Sequence, residues 1–191
     1  MRMHIKRRKN IKSVKGTLFA IAVGVCFTFF GCGEADNENT TVKNVNIQDI
    51  HSSVKEAYGD EYVPSYEFDA EYINEVFGLP EDLYDEIIAE GPKVAFDIDT
   101  FIAVKAKEGK GEEVYKLLSE YREDQINDAM QYPVNAIKIQ ASNVKKYGDY
   151  VFFTCLGTIS EESQNNGDEA ILEEAKKDNE IAVKKIEEFF K

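Results

Sequence analysis

The chain has 191 residues, 23 basic against 36 acidic, with two histidines and a formal charge of −13. Residues 1–31 hold seven of the basic side chains and no acid, so residues 32–191 set 16 basic against 36 acidic groups, a charge of −20. That balance argues against nucleic acid or anionic polymers as partners, because both need a basic footprint, and leaves room for a cationic partner or divalent ions.

The leader opens with MRMHIKRRKNIKSVK and continues as GTLFAIAVGVCFTFFGC, Gly16–Cys32. A positive segment, an apolar run and a small residue before a cysteine describe an export signal rather than part of a fold. The apolar core, Leu18 to Phe30 with Gly24 and Thr28 inside it, is shorter than the roughly 20 residues a membrane-spanning helix needs. The ending Gly31-Cys32 resembles a bacterial lipobox, where the peptide is cut before a cysteine whose thiol takes a diacylglyceryl group. Phe29 and Phe30 depart from the usual Leu and Ala or Ser, and Val25 is too bulky to make Cys26 the better site. The expectation is a signal over 1–31, lipid on Cys32, and a domain held at the outer face of the cell membrane. An uncleaved signal anchor is the alternative. Two acyl chains anchor stably, whereas one holds only marginally.

Residues 32–45 carry no apolar periodicity and read as a flexible tether. At ~5–6 Å × √n, the thirteen residues from Gly33 would span about 20 Å. One domain is expected over 46–191, long enough for a sizeable core. Asn46–Gly59 carries Ile47, Ile50, Val54 and Tyr58 on one helical stripe, with His51 at its edge. Asp69 caps a helix over Ala70–Phe77 that Gly78 closes, and Pro80 opens another over Glu81–Glu90, stopped by Gly91-Pro92. The region is aromatic (Tyr58, Tyr62, Tyr66, Phe68, Tyr72, Phe77, Tyr84). Rings at helical spacing are more often core than a ligand platform.

Lys93–Ala106 alternates and reads as two strands bent near Asp99-Thr100. Asp97 and Asp99 fall on one side of it, as a solvent face; no calcium-loop pattern accompanies them. A long helix follows over Glu112–Met130, with Val114, Leu117, Leu118 and Tyr121 as its apolar face. Gln125 falls in the middle of that face and Arg122, the only arginine after residue 8, on its flank. Past an irregular passage after Pro133, Lys138–Tyr147 reads as a strand. Gly148-Asp149 is a tight hairpin signal, and Tyr150–Ile159, the most apolar strand, belongs inside a sheet. It holds Cys155, expected to be a small buried hydrophobe. After a polar loop over Ser160–Gly167, Asp168 caps a last helix to Phe190. Its apolar seam of Leu172, Ala175, Ala182, Ile186 and Phe189 is interrupted by Asn179.

The order of elements predicts an α+β domain with an N-terminal helical segment, and an antiparallel sheet of about four strands with helices packed on one face. Gln125 and Asn179 interrupt apolar stripes on the two long helices, so each needs a hydrogen-bond partner. With Arg122 they either fix how the helices sit or line a polar pocket where the guanidinium meets a carboxylate of a ligand or partner.

Three stretches, GPKVAFDIDTFIAVKAKEGK, AMQYP and KKYGDYVFF, give a likeness that runs from about Asn46 to Lys191. Together they resemble the bacterial lipoproteins grouped as domain of unknown function 4358, common in Gram-positive organisms. The resemblance implies a signal, a lipobox cysteine and one extracytoplasmic domain; it implies no activity and no catalytic residues. The residues themselves show no GxSxG, HExxH, phosphate loop or GxGxxG. His51 is the only histidine after residue 4, so no metal or cofactor is expected. The expected function is a non-catalytic interaction module of the cell envelope that docks on another envelope protein. Small-ligand or ion binding is the alternative, and a carboxylate-based hydrolase ranks behind both.

Overall fold

Phe101, Phe152 and Phe153 are among the largest fully buried side chains, and they lie on two paired strands around which the other elements are arranged. A computed structural model of the protein describes residues 44–94, 96–128 and 130–191. The expected signal over 1–31, the lipid on Cys32 and nearly all of the tether over 32–45 lie outside the described residues.

The sheet has five antiparallel strands: β1 (Tyr66–Glu67), β2 (Tyr84–Gly91), β3 (Thr100–Ala106), β4 (Asn143–Tyr147) and β5 (Tyr150–Cys155), ordered β1-β2-β3-β5-β4. β3 and β5 pair with Ile102 opposite Phe153 and Ala103 opposite Phe152. Successive residues point to opposite faces, so Ile102, Val104, Val151, Phe153 and Cys155 enter one core while Phe101, Ala103, Tyr150 and Phe152 enter another. Each fully buried Phe or Ile contributes about 1.5–3 kcal/mol by leaving water.

Helices cover both cores. α2 (Ala70–Phe77) and α3 (Gly111–Ile126) pack on the first; α1 (Ile47–Tyr58) and α6 (Asp168–Glu187) pack on the second. The α+β class with an antiparallel sheet is as expected, but the helices occupy two faces rather than one and the strands number five. The reason is that β3 and β5 are apolar on both sides, and each side needs its own cover.

Local signals set several boundaries. Asn46 Oδ1 accepts from Gln48 N at 2.9 Å and starts α1, while Asp69 Oδ1 accepts from Tyr72 N at 2.8 Å and starts α2. Gly78 ends α2 in the left-handed conformation at φ 70°.

Elsewhere the expected elements differ. Glu81–Glu90 is not a helix: a short turn at Glu81–Leu83 leads into β2, which pairs with β3 from Tyr84 to Glu90. Ile87 and Ala89 face one core and Ile88 the other, a two-sided burial that an extended chain meets and a helix does not. Lys93–Asp99 is not a strand, because Asp97 N bonds back to Val94 O and Asp97 Oδ1 takes the Asp99 N–H, closing turns after Pro92. Pro133–Lys138 forms a short helix, α4, and a turn over Ile139–Ala141 precedes β4. The Ser160–Gly167 loop contains α5 (Glu161–Asn166), capped by Ser160.

Candidate functional site

On the first face of the sheet, several elements leave a cavity of about 300 Å3 between them. α2 supplies Tyr72 and Phe77, the chain just after β1 supplies Phe68, α3 supplies Tyr121 and Gln125, and the sheet supplies Thr100 and Phe153. Pro92, Val94, Asp97 and Ile98, from the segment between β2 and β3, form another wall. The rings make a connected set: Phe68 stacks on Tyr72 with centroids 4.3 Å apart, and Phe77 meets Tyr121 edge-on at 4.9 Å. Tyr121 in turn meets Phe153 at 5.3 Å. Burial pushes the Tyr121 hydroxyl far above its ordinary pKa, so it is a neutral donor at any physiological pH.

Asp97 is half-buried at this cavity, and Asp99, two residues on, is almost wholly buried (1 % exposed). Asp99 is therefore not on a solvent face, as its alternation with Ile98 suggests. Its Oδ2 takes a hydrogen bond from the buried Lys138 ammonium and its Oδ1 one from Gly157 N at 2.9 Å. Burial pushes the Asp99 carboxyl up to about 7, against the pull of Lys138. Gly157 has φ 121°, and a Cβ there would lie 2.4 Å from Asp178 Cβ; only glycine brings its N–H to Asp99 in that conformation. Burial also acts to raise Asp97, but hydrogen bonds from Asp99 and the charge of Lys138 outweigh it, holding this carboxyl below the usual range.

A second polar cluster lies between α1 and β2. His51 Nε2 is 3.1 Å from Glu90 Oε2, Tyr62 donates to the same oxygen at 3.2 Å, and the imidazole stacks on Phe101 at 5.2 Å. Burial acts to raise Glu90, but His51, Lys55 and Tyr62 outweigh it and keep the carboxylate below its ordinary value. The group joins α1 to β2, an inner strand of the sheet.

The residues singled out from the two long helices do not share one pocket. Asn179 is buried; its Oδ1 accepts from Leu156 N at 3.0 Å and its Nδ2 donates to Ala141 O at 2.9 Å. Arg122 Nε donates to Ser142 O at 2.8 Å and Nη2 to Gln140 O at 3.0 Å, so the guanidinium meets backbone carbonyls rather than an acid. Gln125 lines the aromatic cavity, where its Oε1 accepts from Gln131 Nε2 at 3.1 Å. Cys155 is buried, and burial pushes its thiol up to about 12, as suits a packing residue. Among the described residues no group of three or more His, Cys, Asp or Glu side chains is placed to hold a metal, and no helix is long and apolar enough to cross a membrane.

Sequence reasoning missed the Asp99–Lys138 pair. A lysine alone in the run VNAIKIQ was its available signal, since lysine is rarely fully buried unless it is paired. The aromatic density between Tyr58 and Tyr84 pointed toward the cavity but not to Asp97 as its charged member.

The family model described as Domain of unknown function (DUF4358) matches residues 57–156, just over half of the chain. All five strands and every residue lining the cavity fall inside that span. No curated protein and no solved structure matches the chain.

Proposed function

The chain belongs to the family described as Domain of unknown function (DUF4358), and within it we propose that it acts as a non-catalytic binding module of the cell envelope, held outside the cytoplasm by lipid on Cys32. The basic leader, apolar run and Gly31-Cys32 ending support the placement. The binding reading rests on the aromatic cavity, a concave site walled by five aromatic side chains together with the polar groups of Asp97, Thr100 and Gln125. That is the composition of small-molecule sites, and its size is at their lower limit. The non-catalytic reading is supported by His51, whose Nε2 is held by Glu90 and Tyr62 while its ring is stacked on Phe101.

Docking on an envelope protein is the second reading. Phe96, Tyr132 and Met130 are 66 %, 63 % and 89 % exposed, and Asn135 Nδ2 bonds Phe96 O at 2.8 Å, which brings the Phe96 loop to the start of α4 beside Tyr132. Aromatic side chains of this kind are enriched at protein interfaces.

Thermal denaturation of the detergent-purified full chain against a panel of small aromatic and aliphatic compounds tests the cavity. At least one compound should raise the melting temperature, and the rise should vanish in Gln125→Trp, which fills the cavity from α3. No rise with any compound, or the same rise in both proteins, overturns the ligand-binding reading.

A further inference from the structure

We propose that the aromatic cavity takes a small organic cation, an ammonium group carried on an apolar body; this rests on the reading of the cavity as a binding site. Among the described residues its lining holds one formally charged side chain, Asp97, and no lysine, arginine or histidine. Among the described residues no lysine or arginine nitrogen lies within 4.0 Å of Asp97, and Lys138, its neighbour in charge, is committed to Asp99. The Asp97 carboxylate is half-buried and fixed by the Asp99 N–H on Oδ1 at 3.0 Å. An anion in this cavity would meet the Asp97 carboxylate, while the Lys138 ammonium that acts on it is bonded to Asp99.

Of the other polar groups, Thr100 has the same sense, while the Tyr121 hydroxyl and Gln125 Nε2 remain donors. Thr100 Oγ1 spends its proton on Ile98 O at 3.0 Å, so toward a ligand it can only accept. Aromatic rings present negative faces and attract cations, most strongly where water is partly excluded. Five of the lining side chains are aromatic, Tyr72 and Tyr121 among them. A divalent metal fits poorly, since hard cations ask for six or more oxygen ligands and among the described residues no three metal-ligating side chains converge. The aliphatic and aromatic remainder of the wall suits the body of an organic ion. The charge of −20 on residues 32–191 raises the local concentration of any cation.

The test uses the detergent-purified full chain at fixed salt, titrated with benzyltrimethylammonium, benzyl alcohol and phenylacetate, with tyrosine ring signals followed by NMR. The expected result is saturable shifts of Tyr72 and Tyr121 with benzyltrimethylammonium, at least about tenfold tighter than benzyl alcohol, and no binding of phenylacetate. Asp97→Asn, which keeps the acceptor for the Asp99 N–H, should abolish the preference. Equal affinity for the cation and the alcohol in the unmodified chain overturns the proposal without recourse to a variant, and so does a preference that survives in Asp97→Asn. Failure of all three probes while panel compounds still act through the cavity overturns the cation alone. Failure of the probes and the panel together removes the binding reading as well.

Discussion

Arg122 and Asn179, on helices that cover opposite faces of the sheet, hold consecutive carbonyls of one turn. Asn179 donates to Ala141 O at 2.9 Å, while Arg122 donates to Gln140 O at 3.0 Å and Ser142 O at 2.8 Å. The turn at Ile139–Ala141 lies between α4 and β4, so two side chains lock both helical layers to the entry of the edge strand. Polar atoms of the two helices thereby hydrogen-bond the backbone of this turn.

Asn179→Leu should cost about 1–3 kcal/mol in urea denaturation, because it leaves the buried Leu156 N–H without its partner, while the Ala141 carbonyl keeps its bond from Asn143 Nδ2 at 3.1 Å. Arg122→Lys should cost less, about 1 kcal/mol, as one ammonium cannot span Gln140 and Ser142 together. Ligand binding at the cavity should be unchanged at low temperature in Arg122→Lys. Unchanged stability with lost binding would instead make Arg122 a recognition residue.

Lys138→Met should destabilise the domain by about 3–5 kcal/mol, since it strands a buried Asp99 carboxylate. Pairing it with Asp99→Asn, which still accepts from Gly157 N, should recover most of the loss. The Asp99 carboxyl lies at about 7 in the folded chain against an ordinary value of 3.8. The folded state therefore holds a proton that the unfolded state releases. The resulting stability is full below about 4 and is lost as pH rises through about 7. Denaturation of Asp99→Asn between pH 4 and 7 should lack this fall; an identical profile would contradict the assignment.

Thr154→Val should raise stability by about 1 kcal/mol. Among the described residues the buried Thr154 Oγ1 has no hydrogen-bond partner, and an unpaired hydroxyl in an apolar site costs free energy that a methyl group does not. A loss on calorimetric melting would mean that the hydroxyl has a partner in solution.

Cys32→Ser should leave the chain without lipid, because a hydroxyl does not replace the thiol as acceptor of the diacylglyceryl group. Mass spectrometry of membrane-extracted protein should show a lipidated N-terminal Cys32 in the unmodified chain. An intact Met1 with an unmodified Cys32 would refute the anchor.

Much of the fold was legible where its causes are local. Asn46 and Asp69 cap helices through side chains within three residues of their partners, and the turn at Gly148-Asp149 closes the β4–β5 hairpin with Tyr147 opposite Tyr150. The run of buried residues over Tyr150–Cys155 likewise marked an inner strand. β2 was not legible, because Pro80, the acids after it and Gly91-Pro92 carry helix signals, and the strand is chosen by pairing with β3 and by burial of Ile87 and Ile88 on opposite sides.

By itself, the sequence determined the Asp69 cap, the hairpin, the apolar strand and the acidic balance, all consequences of neighbouring residues or of composition; Asp168, expected as a cap, is instead the first residue of α6, after Gly167. Only the tertiary structure decided that helices cover both faces, that Asp99 is buried against Lys138, and that Phe68, Asp97, Gln125 and Phe153 meet at one cavity. Those residues come from four separate parts of the chain, and no periodicity relates them. They converge because each apolar face of the sheet must be covered, and the cover on one face leaves Asp97 at the cavity wall.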